Sequence, residues 1–584
     1  MNKIYTAAAF VLAAGILSGC NDFLDRYPYD SVSSESVWKS ATLAENTVIG
    51  VYSNLKSNYT NKSAMNWDAL SQVIDPARGG YSSYPYLSGV IQSNGSMFSD
   101  NWKRFYEGIN RANDVINNID KTEALPQKTR NCRIAECKFI RAWYYYKLNC
   151  LWQGVPVYLE NLAPSEYTRQ RKTMDEVWDV VLADLNDVIA CEDIPNIYNA
   201  GDRNYGRITK GAAYALRGKV YMWKKMWAEA EQDFVAVGTC GYELFTGSYA
   251  ELFTEKNEQC KEMVFTVTME DEADQGNVYS RTYGNFVTAG NGNNTFYMNT
   301  DFVETYQWKD GRPFSYDDVI AGYSSMTPEQ RSVYFLRNDL TDSEITAMSA
   351  YGADMSKYNK EGNESTIRSA FVGRDPRLDA TVITPYSIYT GSSQTDVQDY
   401  TARFPFRSEN TPSFDLRSTS TTEMLYCIRK FVTVGREYTN VTYNPVDVPI
   451  IRYADVLLCL AEAVNEQGRT DEAVDYVNMV RDRAGVASLN GDEPATKVEG
   501  QANMRKRIQD EKHWELACEE QLFLEELRWG IWKDRKFSNN NGLKQCWGSN
   551  VYTYQYGGDY FTKWAIPSAE KEKNQSLEQN EGWH

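Results

Sequence analysis

Two stretches of this 584-residue chain concentrate side chains that suit a ligand with both apolar faces and hydroxyl groups. The first, DPARGGYSSYPYLSGVIQSNG, carries Arg78, Tyr81, Tyr84, Tyr86 and Asn94. The second, DQGNVYSRTYGNFVTAGNGNNTFYMN, carries Tyr279, Arg281, Tyr283, Asn285, Phe296 and Tyr297. Neither stretch has helical period, so both read as loops, where binding groups are often placed. The C–H faces of a sugar stack on aromatic rings, and its hydroxyls need donors and acceptors, so a glycan site pairs aromatics with amides, arginine and carboxylates. Tyrosine supplies a rigid ring with a polar tip. The competing reading for each of these aromatics is core packing.

Other chemistries find little material. The two histidines, His513 and His584, are far apart, so no histidine metal site or nucleophile–base pair is expected, and no cofactor. His513 reads as a packed or helix-surface residue. The 79 acidic residues could supply the paired carboxylates of a glycoside hydrolase, but no particular pair stands out. A net charge of −18 disfavours a nucleic-acid partner. The eleven cysteines show no CxxC spacing. Cys459 in VLLCLAEA reads as a small core residue, and Cys132 and Cys137 are poorly spaced for a bridge within one helix. No disulfide pairs are assigned.

The amino terminus has an apolar run from Ile4 to Leu17, preceded by Lys3. This is shorter than the roughly 20 residues that span a bilayer. It reads as a signal peptide over residues 1–19. The closing Leu17-Ser18-Gly19-Cys20 resembles a bacterial lipobox, which implies cleavage before Cys20 and acylation of its thiol. An ordinary signal peptide with an incidental cysteine is the alternative. No later run approaches 18 apolar residues, so lipid is the expected anchor.

Several segments have the period of helices that could position the loops. SATLAENTVIGVYSNLKS is the first. SDNWKRFYEGINRANDVINNID sets Trp102, Tyr106, Ile109, Ala112, Ile116 and Ile119 on one face, with Ser99 or Asp100 as cap. NCRIAECKFIRAWYYYKLNCLWQG ends at Gly154-Val155-Pro156, and its Trp143 to Tyr146 cluster reads as scaffold core. TMDEVWDVVLADLNDVIA has Thr173 and Glu176 spaced as a capping box. Tyr214, Gly218, Tyr221, Ala230 and Phe234 then recur at tetratricopeptide-like spacings, and Leu457, Ala461, Val464, Ala473 and Val477 repeat them. The intervening stretch is rich in Gly, Asn, Ser, Thr and Tyr. There EMVFTVTM reads as a strand, and AGNGNNTFYMN, TGSSQTD and RSTSTTE read as loops. The expected fold is mainly α: a scaffold of tetratricopeptide-like helix pairs, an irregular loop-rich region and a few short strands.

RANDVINNID, GRDPRLDATV, VPIIRYADVLLCLAEAVNEQG, VNMVRDRAGV, EKHWELACEEQLFLEELRWG and WAIPSAEKEKNQSLEQNEGW together resemble the SusD/RagB family of Bacteroidetes outer-membrane lipoproteins. The resemblance runs from Cys20 almost to His584. It departs near the end, where Lys512, His513, Glu520 and Leu522 replace residues usual in the family. It implies one domain over 20–584, with a helical scaffold over about 20–244 and 445–584 and a loop-rich ligand side over about 245–444. It further implies a non-enzymatic, lipid-tethered protein on the outer face of the outer membrane. Such a protein captures oligosaccharides or other nutrients for a SusC-like TonB-dependent transporter. A surface glycoside hydrolase and a helical-repeat scaffold without small ligand are the alternatives.

Overall fold

The computed structural model describes residues 34–584 apart from 62–64, 81–83, 290–291, 393–395, 409–413, 419–422, 439 and 539–540. Cys20 and Tyr81 lie outside the described residues. The long helices are α1 (Ala41–Thr60), α2 (Ser96–Asn118), α3 (Gln127–Trp152), α4 (Met174–Ala190), α5 (Lys210–Trp223), α6 (Trp227–Thr239), α7 (Tyr453–Glu466), α8 (Thr470–Ala484) and α9 (Gly500–Leu516). Successive helices pack on one another from α1 to α6, and α7 packs on α6, α8 and α9. The scaffold is therefore continuous in space, although the chain leaves it between α6 and α7.

The helix ends show local sequence at work. Thr173 accepts a hydrogen bond from the Glu176 amide, and Glu176 reaches back to the Thr173 amide at 2.8 Å. This is the capping box read from the sequence. Helix α2 starts a turn earlier than the Ser99 or Asp100 cap would set, after Gly95 and without a side-chain cap. Packing holds the extra turn: Phe98 is fully buried, with its ring edge-on to Trp564 and Trp583.

The tetratricopeptide spacing has a steric basis. A Cβ built on Gly218 would lie 2.5 Å from the Phe234 ring, so the missing side chain is what lets α5 approach α6. In the second pair Ala461, Val464, Ala473 and Val477 are all fully buried. Helix α3 is buried on every face over its second half, including Trp143 to Tyr146, as befits a helix at the centre of the molecule.

The strands are short. β1 (Ile74–Pro76) pairs antiparallel with β3 (Phe296–Met298), and β2 (Met263–Val267) with β9 (Val448–Arg452). β4 (Val382–Ile383) pairs with β8 (Cys427–Ile428). β5 (Ile388–Ser392), β6 (Val397–Thr401) and β7 (Phe414–Asp415) form one small sheet. Two segments read as loops are therefore partly strand. Phe296–Met298 is held by β1, and Thr390 to Ser392 of TGSSQTD by β6. Both partners are distant or turn-linked strands that composition alone does not reveal.

The sequence motifs that carry the family resemblance build a buried charge lattice. Arg377 meets Asp375 and Glu511 at 2.7 Å each, and Glu515 at 3.1 Å. Arg452 meets Glu262, Glu515 and Glu519. Arg481 pairs with Glu511, Arg483 with Glu262 and Glu515, and Lys430 with Glu519. Cations and anions are equal in number, which is the condition for keeping such charges out of water. Burial opposes ionisation of Glu515, but Arg483, Arg452 and Arg377 outweigh it and hold the carboxyl at about 2. The lattice fixes α9 against β9 and the turn before Pro376.

Lys512 sits in a second lattice with Lys219, Asp455 and Glu525. His513 is buried, with Nε2 2.9 Å from Glu526 and Nδ1 2.6 Å from the Gln509 carbonyl, so it is a packed residue. The ten cysteines among the described residues are free thiols.

Candidate functional site

The two tyrosine-bearing stretches are far apart in sequence and meet through β1 and β3. In that pairing Asp75 faces Tyr297 and Pro76 faces Phe296. Beside it opens a cavity of about 590 Å³. Its walls come from the end of α1 (Asn58, Tyr59, Asn61), the start of α2 (Ser96, Met97, Asp100, Asn101, Arg104), the β1–β3 pair and the short helix Tyr279–Thr282. Three of the sequence candidates line it: Tyr84, Tyr279 and Phe296.

The aromatic wall is preorganised. Tyr279 stacks on Tyr283 at 5.0 Å with rings 4° from parallel, and meets Tyr59 edge-on. Phe296 stands edge-on to both Tyr84 and Tyr283. The Tyr84 hydroxyl accepts from the Asn66 amide at 3.3 Å, and the Tyr283 hydroxyl accepts from Asn66 Nδ2 at 2.5 Å. Locked rotamers of this kind lower the ordering cost of binding.

Glu520 forms part of the cavity lining. Burial pushes its carboxyl up to about 7, against the pull of the Tyr279 hydroxyl, the Trp67 amide and the Lys147 ammonium. The Tyr279 hydroxyl donates to Oε1 at 2.7 Å and the Trp67 amide to Oε2 at 3.5 Å. The Glu520 amide in turn donates to Asp68 Oδ2 at 2.9 Å. Arg104 reaches the cavity from α2 and donates to Asn58 Oδ1 at 2.8 Å. Burial draws its guanidinium below the ordinary arginine range.

The other candidates lie elsewhere. Arg78 is exposed and pairs with Glu423 at 2.8 Å, and Asn94 is exposed outside the cavity lining. Tyr86 is fully buried, stacked on Phe561 at 4.7 Å and on Trp532 at 5.5 Å, with its hydroxyl donating to the Phe561 carbonyl. Tyr283 is fully buried behind Tyr279. Arg281 is half-buried and outside the lining. Asn285 is fully buried, its Oδ1 accepting from the Val287 amide at 3.0 Å. Tyr297 alternates with Phe296 along β3, so its ring points away and its hydroxyl donates to the Ser418 carbonyl at 2.7 Å.

The lining residues that sequence reasoning did not propose as ligand contacts include Asn58, Tyr59, Asn61, Asn66, Asp100, Arg104 and Glu520. The run SNYTN at the end of α1 carries the same aromatic–amide mixture as the two loops, and that was the available signal. Glu520 directly follows Glu519 and adopts a positive φ of 61°, a conformation that only the folded chain reveals.

Comparison with known proteins accounts for the scaffold. A model of the SusD family matches residues 261–583, and one described as starch-binding associating with outer membrane matches residues 22–222. The chain belongs to the SusD family. It is 25% identical over 91% of its length to SusD-like protein P25 of Formosa agariphila, covering 91% of that protein. A SusD-like protein of Bacteroides fragilis superposes with a TM-score of 0.72 at 21% identity, over 96% of this chain and 100% of the other. A SusD-like carbohydrate-binding protein of the same organism gives 0.71 at 21% identity, over 93% and 100%. Among the described residues no helix is long and apolar enough to cross a membrane.

Proposed function

We propose that this protein binds oligosaccharides in the cavity between α1, α2 and the β1–β3 pair, and holds them for import. The observation that carries the reading is the composition of that cavity. Tyr59, Tyr84, Tyr279 and Phe296 supply ring surface beside Asn58, Asn61, Asn66, Asn101, Asp100 and Arg104. That is the pairing of stacking faces and polar groups a glycan requires. The starch-binding description of the amino-terminal family model and the carbohydrate-binding relative of similar fold support it.

Binding without cleavage is the preferred reading. Glu520 is the cavity carboxyl nearest in character to a general acid, yet both its oxygens are already engaged by Tyr279 and Trp67. In this reading Cys20 carries the lipid anchor, and a SusC-like TonB-dependent transporter at the outer membrane receives the ligand. Capture for hand-over calls for a Kd of roughly micromolar to millimolar, about −8 to −4 kcal/mol.

Glycan arrays followed by calorimetry test the binding. Ser96→Trp places bulk on the cavity wall from an exposed position, so it should abolish binding while the protein melts like the parent. Undiminished affinity in that variant, or cleavage of the bound glycan, would overturn the reading. Cys20→Ala should shift the protein to the soluble fraction, and mild extraction of the parent should recover the transporter with it. A membrane-bound Cys20→Ala protein, or parent recovered alone, counts against the anchor or the partner respectively.

A further inference from the structure

A second cavity of about 580 Å³ adjoins the first across the carboxy-terminal turn of α1, with Asn61 lining both. Its other walls are Ser53, Lys56, Ser57, Thr60, Asp274 and Gln275. It has no aromatic wall, in contrast to its neighbour. Each cavity presents a cation: Arg104 in the first and Lys56 in the second. Lys56 Nζ donates to Gln275 Oε1 at 2.9 Å, and Arg104 Nη1 to Asn58 Oδ1 at 2.8 Å. Among the described residues neither cation has a carboxylate within ion-pair distance, although the chain carries 79 acidic residues against 61 Lys and Arg. The hydrogen-bond partners of this arginine and this lysine are neutral amides. The carboxylates that act on them, Asp100 and Glu107 on Arg104 and Glu270 and Asp447 on Lys56, do so from beyond ion-pair distance. Each half-buried cation has therefore lost hydration that a contacting anion would restore.

Resting on the glycan reading above, we propose that the ligand is an acidic oligosaccharide long enough to occupy both cavities. The sugar rings stack in the aromatic cavity, and carboxylate or sulfate substituents meet Arg104 and Lys56 on either side of the α1 turn. The chain crosses at Asn61. Asp100 and Asp274, which also face these cavities, are exposed, so water screens their repulsion. Glu520 has both oxygens turned to protein donors.

Calorimetry with four probes tests this: a neutral hexasaccharide (maltohexaose), an oligogalacturonide hexamer and dimer, and a sulfated carrageenan hexasaccharide. The acidic hexamers should bind more tightly than the neutral one and than the dimer. Preference for the uronate or for the sulfate ester identifies which acid is read. Lys56→Gln should weaken binding of the acidic hexamers by about threefold to tenfold, the range of a half-exposed ion pair, and leave the dimer unchanged. Arg104→Gln should weaken hexamers and dimer alike. Melting temperatures within a degree or so of the parent are required of both variants, and Lys56→Arg should restore affinity. Equal binding of neutral and acidic hexamers, or a Lys56→Gln variant indistinguishable from the parent, overturns the proposal while leaving the glycan reading intact. Absence of binding to every saccharide on the array overturns both.

Discussion

Glu520 ties the stability of the cavity to pH, and Glu520→Gln isolates its share. Burial raises this carboxyl from an ordinary value of 4.5 to about 7, and the side chain is only 7% exposed. Between those two values the folded protein keeps the proton and the unfolded chain releases it. The unfolded state then binds fewer protons, so stability falls as pH rises through this window. At about 1.4 kcal/mol per pKa unit, the loss from this group between pH 5 and pH 8 comes to about 2.5 kcal/mol. Glutamine keeps the shape and an acceptor for Tyr279, and it does not titrate. Urea unfolding followed by tryptophan fluorescence, for parent and variant at both pH values, gives the comparison. The variant should gain on the parent by about 2.5 kcal/mol on going from pH 5 to pH 8. Removing the Glu520 charge also relieves the buried Asp68, whose carboxyl is pushed up by burial and, less strongly, by Glu520, so this neighbour adds in the same direction. A parent–variant difference that is the same at both pH values would refute the argument that Glu520 is held protonated by burial.

Three further outcomes follow from the packing. Gly218→Ala should destabilise the protein by about 1–3 kcal/mol through collision with Phe234, although helix propensity alone predicts a gain of about 0.5–1 kcal/mol. A raised melting temperature would show that α5 and α6 are not held at that distance. Arg452→Met leaves Glu262, Glu515 and Glu519 short of a buried partner and should cost about 3–5 kcal/mol; a neutral effect would mean the lattice is hydrated. Tyr86→Ala should lower stability by about 3–5 kcal/mol, because the ring is wholly core; loss of binding at an unchanged melting temperature would instead place Tyr86 at the ligand.

Local and periodic features were legible in the chain by itself. The 3.6-residue period of apolar residues, the Thr173–Glu176 box and the Gly218–Phe234 spacing depend on interactions within one helix or one hairpin. They carry over into α4, α5 and α6 almost unchanged. The RDPRL and ELACEE motifs carry the family resemblance, but their role was not legible. Only the folded chain brings Asp375, Arg377, Glu515 and Glu519 within 3 Å or so of one another or of Arg452, and turns exposed-looking charges into a buried lattice. The candidate site divides in the same way. Residue type marked Tyr84, Tyr279 and Phe296, because stacking chemistry belongs to the side chain. Which tyrosines face the cavity was decided by tertiary contacts. Alternation along β3 turns Phe296 in and Tyr297 out, stacking hides Tyr283 behind Tyr279, and a cage of Phe561 and Trp532 takes Tyr86 into the core. Arg104, Asn66 and Glu520 entered the site for a reason that no local pattern encodes. They come from separate parts of the chain, and the β1–β3 pairing, the start of α2 and the turn after α9 converge only when the scaffold closes.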